Sequence, residues 1–398
     1  MEKIFTKFLM LIFLFSLLLP SNVFAKNSLP NDNISLLIQE YFQLRQEQTI
    51  SNKDNSKLLK DFEEKQKLSK NVIAFENDRK SNYAKMEKKL GIRVVLSKIT
   101  PYIIDINIEE YKASANVYEW IHFDWKAEDG TLNSSGLGLN HYVMFAKING
   151  QWEIIQDSYD EGPLSEVTTP DLLIEDQYEQ KIIKPFTSEN ETDINNTEFS
   201  ILGEPGYYIT FDRSGVTTYA DNYVKPYAAG TNYESYYNPL FKNFNPNGGD
   251  CANYVSQSLY EGGKLPMQGL ATQYNGVGAW WYDNKGTTST TDDTVSTNWS
   301  WTGAHYNRQN IAYNFGTIKD NPTDTDIIKG NPVYYDWDGL NVSSRWYNHA
   351  TICVGTDSVG KPIVNSHNYD YYHVRWNYGY SNTGYSTVKI NNSIFIPY

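Results

Sequence analysis

From Asn33 to Leu90 apolar residues recur at helical spacing among Lys, Glu, Gln and Asn: Leu36, Leu37, Tyr41 and Leu44, then Leu58, Leu59 and Phe62. Such spacing gathers them on one face, so the stretch predicts amphipathic helices. After Gly91 the period becomes two. Apolar and polar positions alternate in Ile92-Arg93-Val94-Val95-Leu96, Tyr102 to Ile106, Ala113 to Trp125, His141 to Lys147 and Trp152 to Asp157, with turn pairs at Asp129-Gly130 and Asn149-Gly150. This predicts a helical hairpin followed by an antiparallel, strongly bent sheet. From about Glu166 to Phe199 the chain turns acidic and polar around Pro170 and Pro185, as a linker does. Residues 200–398 are rich in Tyr, Asn, Gly and Trp with short strand patterns, which suits a second domain.

The start of the chain bears on its compartment. Glu2, Lys3 and Lys7 flank the apolar run Phe8 to Leu19, and Val23-Phe24-Ala25 precedes Lys26. Residues 1–25 therefore read as a cleaved secretory signal. The run is shorter than the roughly 20 residues of a membrane helix, and no Cys follows to accept a lipid, so an uncleaved anchor is the weaker reading. The expectation is a secreted, extracellular chain with no stable membrane insertion after cleavage, its association with the cell wall left open. The chain has 34 basic and 47 acidic residues, net charge −13, and no basic block, so nucleic acid is not an expected partner. Its 32 Tyr and 10 Trp, amphipathic side chains, argue for wet clefts. With Cys251 and Cys353 alone, an exported chain can form at most one disulfide; so few cysteines suggest that one is kept as a reactive thiol.

That thiol is Cys251. Asn247-Gly248-Gly249-Asp250-Cys251 reads as a glycine loop and an Asp N-cap, and Gly262-Gly263 closes the helix that follows. Ala252, Val255 and Leu259 form its buried stripe, with Cys251 beside it in the first turn. The positive end of a helix stabilises a thiolate, although the neighbouring Asp250 opposes this. A base is also needed. Pro332 to Asp336, His349 to Gly355 and Pro362 to His367 read as three consecutive antiparallel strands. His349 opens the middle one, where its imidazole can reach a Cys on a helix packed across the sheet. Ile363, Asn365 and His367 share a face by period two, so either Asn365 or His367 could orient that imidazole.

Tyr219-Ala220-Asp221, the run Asp250-Cys251-Ala252-Asn253-Tyr254-Val255-Ser256-Gln257-Ser258-Leu259, Pro332 to Asp336 and His349-Ala350-Thr351-Ile352 resemble the amidase domain family of Gram-positive bacteria. That family is papain-like and related to the CHAP and NlpC/P60 cell-wall hydrolases. The resemblance covers about residues 205–398, with Ala252 and Tyr254 where Thr and Phe are expected. It implies Cys251 as nucleophile, His349 as base, a polar third position between Asn365 and Asn368, and an amide of peptidoglycan, or a peptide, as substrate. The helices and strands of residues 26–165 resemble, in pattern alone, the cone-shaped nuclear-transport-factor-2-like (NTF2-like, SnoaL-like) group. The expected fold class is α+β: an NTF2-like helix-plus-bent-sheet domain over 26–165, a linker over 166–203 and a papain-like cysteine hydrolase domain over 204–398.

Plainer readings compete for several residues. Cys251 could be a structural thiol or half of a disulfide, and Cys353, in an apolar strand, reads as core. His305, His349, His367 and His373 lack zinc-ligand spacing; His122 and His141 read as sheet residues. Asp336-Trp337-Asp338-Gly339 with Asn341 resembles a calcium turn only superficially. Trp280, Trp281, Trp299, Trp301, Trp337 and Trp346 suit either interior packing or a groove for a sugar or peptide chain, and Asn245, Asn247 or a backbone amide could hold an oxyanion. No cofactor or metal is implied, and oligomeric state is open. The alternative to a hydrolase is an exported binding or assembly protein that keeps the fold without turnover.

Overall fold

The computed structural model describes residues 32–159, 162, 206–225, 236–245, 249–269, 278–337 and 345–397. The leader expected over 1–25 and the linker expected over 166–203 lie outside the described residues. Helices and antiparallel sheets are mixed, in keeping with the α+β class. No helix among the described residues is long and apolar enough to cross a membrane.

The first half runs α1 (Asp32–Gln48), α2 (Ser56–Glu64), α3 (Lys70–Leu90), β1 (Arg93–Ile108), β2 (Lys112–Lys126), β3 (Leu132–Ile148) and β4 (Gln151–Ser158). Three helices stand where a hairpin was expected, because polar breaks follow both α1 and α2. Gly91 ends α3 in the left-handed region at φ 66°, returning its N–H to the last turn. The strands form a meander in chain order. Register shifts between Val94 and Leu96 and between Ile103 and Asp105 interrupt β1, as bulges that bend a sheet do. Asn149 and Gly150, at φ 52° and 83°, make the tight β3–β4 turn that an Asn-Gly pair favours.

The second half comprises β5 (Gly206–Thr210), α4 (Arg213–Asn222), α5 (Cys251–Gln257) with a π turn (Ser258–Gly262), β6 (Tyr282–Asp283), β7 (Thr294–Val295), α6 (Ala304–Phe315) and β8 (Gly316–Asp320). Then come β9 (Pro332–Asp336), β10 (His349–Thr356), β11 (Pro362–Asn365), β12 (Val374–Arg375), β13 (Gly384–Ile390) and β14 (Ser393–Pro397). Six strands form one antiparallel sheet, ordered β12-β11-β10-β9-β13-β8. The three consecutive strands expected from the sequence are β9, β10 and β11.

Alternation along β10 divides two cores. Ala350, Ile352 and Val354 join the core that contains Cys251, Val255 and Leu259 from α5 and its π turn. Cys353 joins a different core, where Leu90, Ile121, Trp125 and Leu137 of the first half meet Tyr335, Val364 and Tyr378 of the second. The first half thus packs on the sheet face opposite α5.

Candidate active site

Helix α5 is buried on every side from Cys251 to Gln257, not only along the expected stripe. Its polar residues survive burial because each is bonded. Asn253 accepts from the Trp301 indole N–H (2.8 Å), Ser256 donates to the Trp301 carbonyl (2.8 Å) and Gln257 accepts from the Tyr219 hydroxyl (2.7 Å). These bonds give a physical reason for the Asn, Ser and Gln of the motif: they fix the helix that carries Cys251.

Cys251 and Cys353 are both free thiols. Burial pushes the Cys251 thiol up to about 11, against the pull of the Ala350 amide, which hydrogen-bonds the sulfur. The charge of Asp250 adds to the rise; the amides of Ala252 and Cys251 itself oppose it. The lowered pKa expected of a helix-start cysteine is therefore corrected, because desolvation outweighs the amides. Cys353, a core residue as expected, is raised by burial to about 12.

His349 is the residue next to Ala350 and opens β10 as expected. Alternation turns its side chain toward the core shared with the first half. There its ring centroid lies 5.3 Å from that of Trp337 and 5.7 Å from those of Tyr335 and Tyr369. Burial lowers its pKa to about 3, so it is neutral, and its Nε2 has no hydrogen-bond partner. Among the described residues no hydrogen bond joins it to Cys251; a single backbone amide connects the two positions.

Neither candidate for the third polar position touches His349. Strand β11 ends at Asn365, so period two does not carry on to His367. Asn365 donates to Asp221 (2.8 Å) and accepts the His373 N–H (2.8 Å). His367 lies 2.6 Å from Asp250 through Nδ1 and uses Nε2 on the Tyr223 carbonyl, so neither nitrogen is free to receive a thiol proton. Asp250 stands at the N-cap of α5 as expected, but its side chain caps no amide of the helix. Its carboxylate accepts from the Phe244 amide (2.8 Å) and Asn253 (2.8 Å) besides meeting His367. Asn368, held at φ 83°, accepts the Asp250 amide at 2.5 Å. His367 and Asn368 instead lock the loop before the cysteine, a role hidden in sequence because Asp250 and His367 lie 117 positions apart, while Asn365 ties α4 to His373.

Cys251 lines a cleft of about 680 Å³ with Trp299, His305, Tyr306, Trp346 and Asn348. Trp280, Trp281 and Trp301 are buried, and Trp337 packs on His349; of the six tryptophans considered, Trp299 and Trp346 line this cleft. His305 stacks on Trp346 at 4.3 Å with planes 8° apart, and burial lowers it to about 4. His373 meets Asp221 at 2.8 Å. No group of three metal-binding side chains occurs among the described residues. Asn245 donates to the Tyr237 hydroxyl (2.8 Å), while Asn247 and the Asp338-Gly339 turn lie outside the described residues.

Residues 210–390 match the family model described as "Putative amidase domain". The match supports the amidase resemblance of this half and points to amide hydrolysis in general. No curated protein matches the chain. Among solved structures, the crystal structure of the intermembrane space region of chloroplast protein ARC6 aligns with 32% of this chain and 96% of that one, at 7% identity and a TM-score of 0.24, too low to argue a shared fold.

Proposed function

We propose that the second half is a papain-like cysteine amidase acting on an amide of exported peptidoglycan, with the first half, NTF2-like in pattern, as its accessory domain. The observation that carries this reading is Cys251 itself: a helix-start thiol lining a cleft, its sulfur on the amide of the residue after His349. Thiol and imidazole are both neutral at rest, so the proton leaves the sulfur as attack occurs rather than beforehand. For this the His349 imidazole has to leave its place against Trp337 and come to the sulfur; it then takes that proton, and the thiolate adds to the amide carbonyl. The imidazolium then protonates the departing amine, and water hydrolyses the thioester. Amides that already face the sulfur hold the thiolate during this step.

His305 supports a second reading of the base, because it lines the cleft and His349 does not. Release of amine from peptidoglycan fragments by the full chain, compared with Cys251→Ala, His349→Ala and His305→Ala, tests both. Cys251→Ala should abolish release, and His349→Ala should lower it about 10²- to 10⁴-fold, the span of general-base contributions. A loss of that size in His305→Ala alone moves the base to His305. No turnover of any amide by the unmodified chain replaces the hydrolase with the binding or assembly protein.

A further inference from the structure

Trp299 has φ 62°, the left-handed region where a bulky side chain is a genuine outlier. The residue is nevertheless 55% exposed, so core packing does not explain the strain. The turn around it is closely built. Its N–H donates to the Ser296 carbonyl (3.2 Å), its carbonyl accepts the Gly303 N–H (2.8 Å), and a Cβ at Gly303 would crowd that carbonyl at 3.2 Å. Trp346 is 50% exposed and lines the same cleft, its ring orientation set by the stack on His305. Two tryptophans are thus held open to solvent beside the cysteine, one of them on a strained backbone.

The rest of the cleft narrows the occupant. Thr297, Thr302, Tyr306 and Asn348, residues with hydroxyl or amide side chains, line it together with the two tryptophans. Lys242 is the only charged lining side chain among the described residues, in a chain of net charge −13. A cationic ligand finds no carboxylate there, and a purely apolar one leaves the polar groups unpaired. A pyranose ring, with one C–H face and a rim of hydroxyl and acetamido groups, satisfies both surfaces.

We propose that this cleft is an amino-sugar subsite, so that the amide presented to Cys251 is the one joining the sugar's lactyl group to the first amino acid of the peptide. This rests on the amidase reading and chooses one bond within it. The test titrates full-length Cys251→Ala with an N-acetylglucosamine tetramer, followed by tryptophan fluorescence and calorimetry, with a sugar-free stem peptide as comparison. Saturable binding of the saccharide is expected, with the peptide at least about tenfold weaker, the size of one lost aromatic contact.

Trp299→Gly in that background should weaken saccharide binding about tenfold while leaving Tm unchanged or higher, since glycine accepts φ 62° without strain. Trp346→Ala should weaken it similarly and stands independently of the Trp299 turn. Equal binding by both variants, or a large loss of Tm in Trp299→Gly, overturns the subsite. Saccharide binding without hydrolysis of any amide by the unmodified chain leaves the subsite standing and removes the amidase. Sugar-linked and sugar-free peptides cut equally fast leave the amidase standing and remove the subsite.

Discussion

Arg45, Glu76, Glu119, His141 and Asp157 lie buried together in the first half, while Cys251 and His349 lie buried in the second without an ionic partner among the described residues. In the first half each carboxylate meets a cation: Glu76 and Glu119 with Arg45 at 2.6 and 2.9 Å, Asp157 and Glu119 with His141 at 3.0 and 3.1 Å. Burial alone would lower His141, but Asp157 and Glu119 outweigh it and raise its pKa. Burial would raise Glu119, and Arg45 and His141 hold it far below the usual carboxylate range. In the second half burial acts unopposed by any counter-charge and keeps both groups neutral. A network in which each carboxylate meets a cation fixes one arrangement; a neutral thiol and a neutral imidazole with an unpartnered Nε2, held on opposite faces of β10, are not fixed by charge in that way.

The largest effect comes from breaking the ion network. Glu119→Gln leaves Arg45 and His141 buried with less compensating charge, an imbalance that costs about 3–5 kcal/mol. Urea unfolding should show that loss, whereas Cys251→Ala should stay within about 1 kcal/mol, since it removes one sulfur and leaves no charge behind. Equal losses in the two variants would erase the distinction between the regions.

A pH series sharpens the same contrast. His349 has a folded pKa near 3, below its unfolded value of about 6.5, so the unfolded chain binds the proton more tightly. Its contribution is therefore complete above pH 6.5 and declines by about 1.4 kcal/mol per pH unit down to pH 3. The stability difference between the unmodified chain and His349→Gln should shrink with that slope on acidification. A difference independent of pH would mean that His349 is solvated and charged, contrary to its burial.

These two centres were unequally legible. The Cys251 helix announced itself through a glycine loop and consecutive polar residues that a buried helix must bond, and β9 to β11 through apolar runs between turns. Both signals are local. The ion network was missed, with His141 read as a plain sheet residue, because its members sit on α1, α3, β2, β3 and β4 and only the meander brings them together. The Asp250–His367 contact was missed for the same reason. The face of His349 was lost by a different route: period two fixes which residues share a side, but not which side the Cys251 helix occupies.

The smallest predicted effect lies where the halves meet. Asp370, at φ 39°, follows Asn368 in the loop that holds the Asp250 amide, and burial raises its carboxyl pKa. Three tyrosine hydroxyls donate to it: Tyr236, Tyr237 at 3.0 Å, and Tyr118 of β2 at 2.8 Å. Gly138 of β3 gives Tyr118 its room, since a Cβ there would lie 1.9 Å from the hydroxyl oxygen. Gly136 and Tyr372 exchange backbone hydrogen bonds of 2.9 and 3.0 Å beside this contact. Tyr118→Phe removes one of the three donors, a cost of about 1 kcal/mol. If the first half positions the loop before Cys251, the variant also lowers kcat several-fold with KM unchanged, because the sulfur shifts while the cleft does not. A stability loss with kcat intact would reduce the contact to a fastening between two halves that work apart.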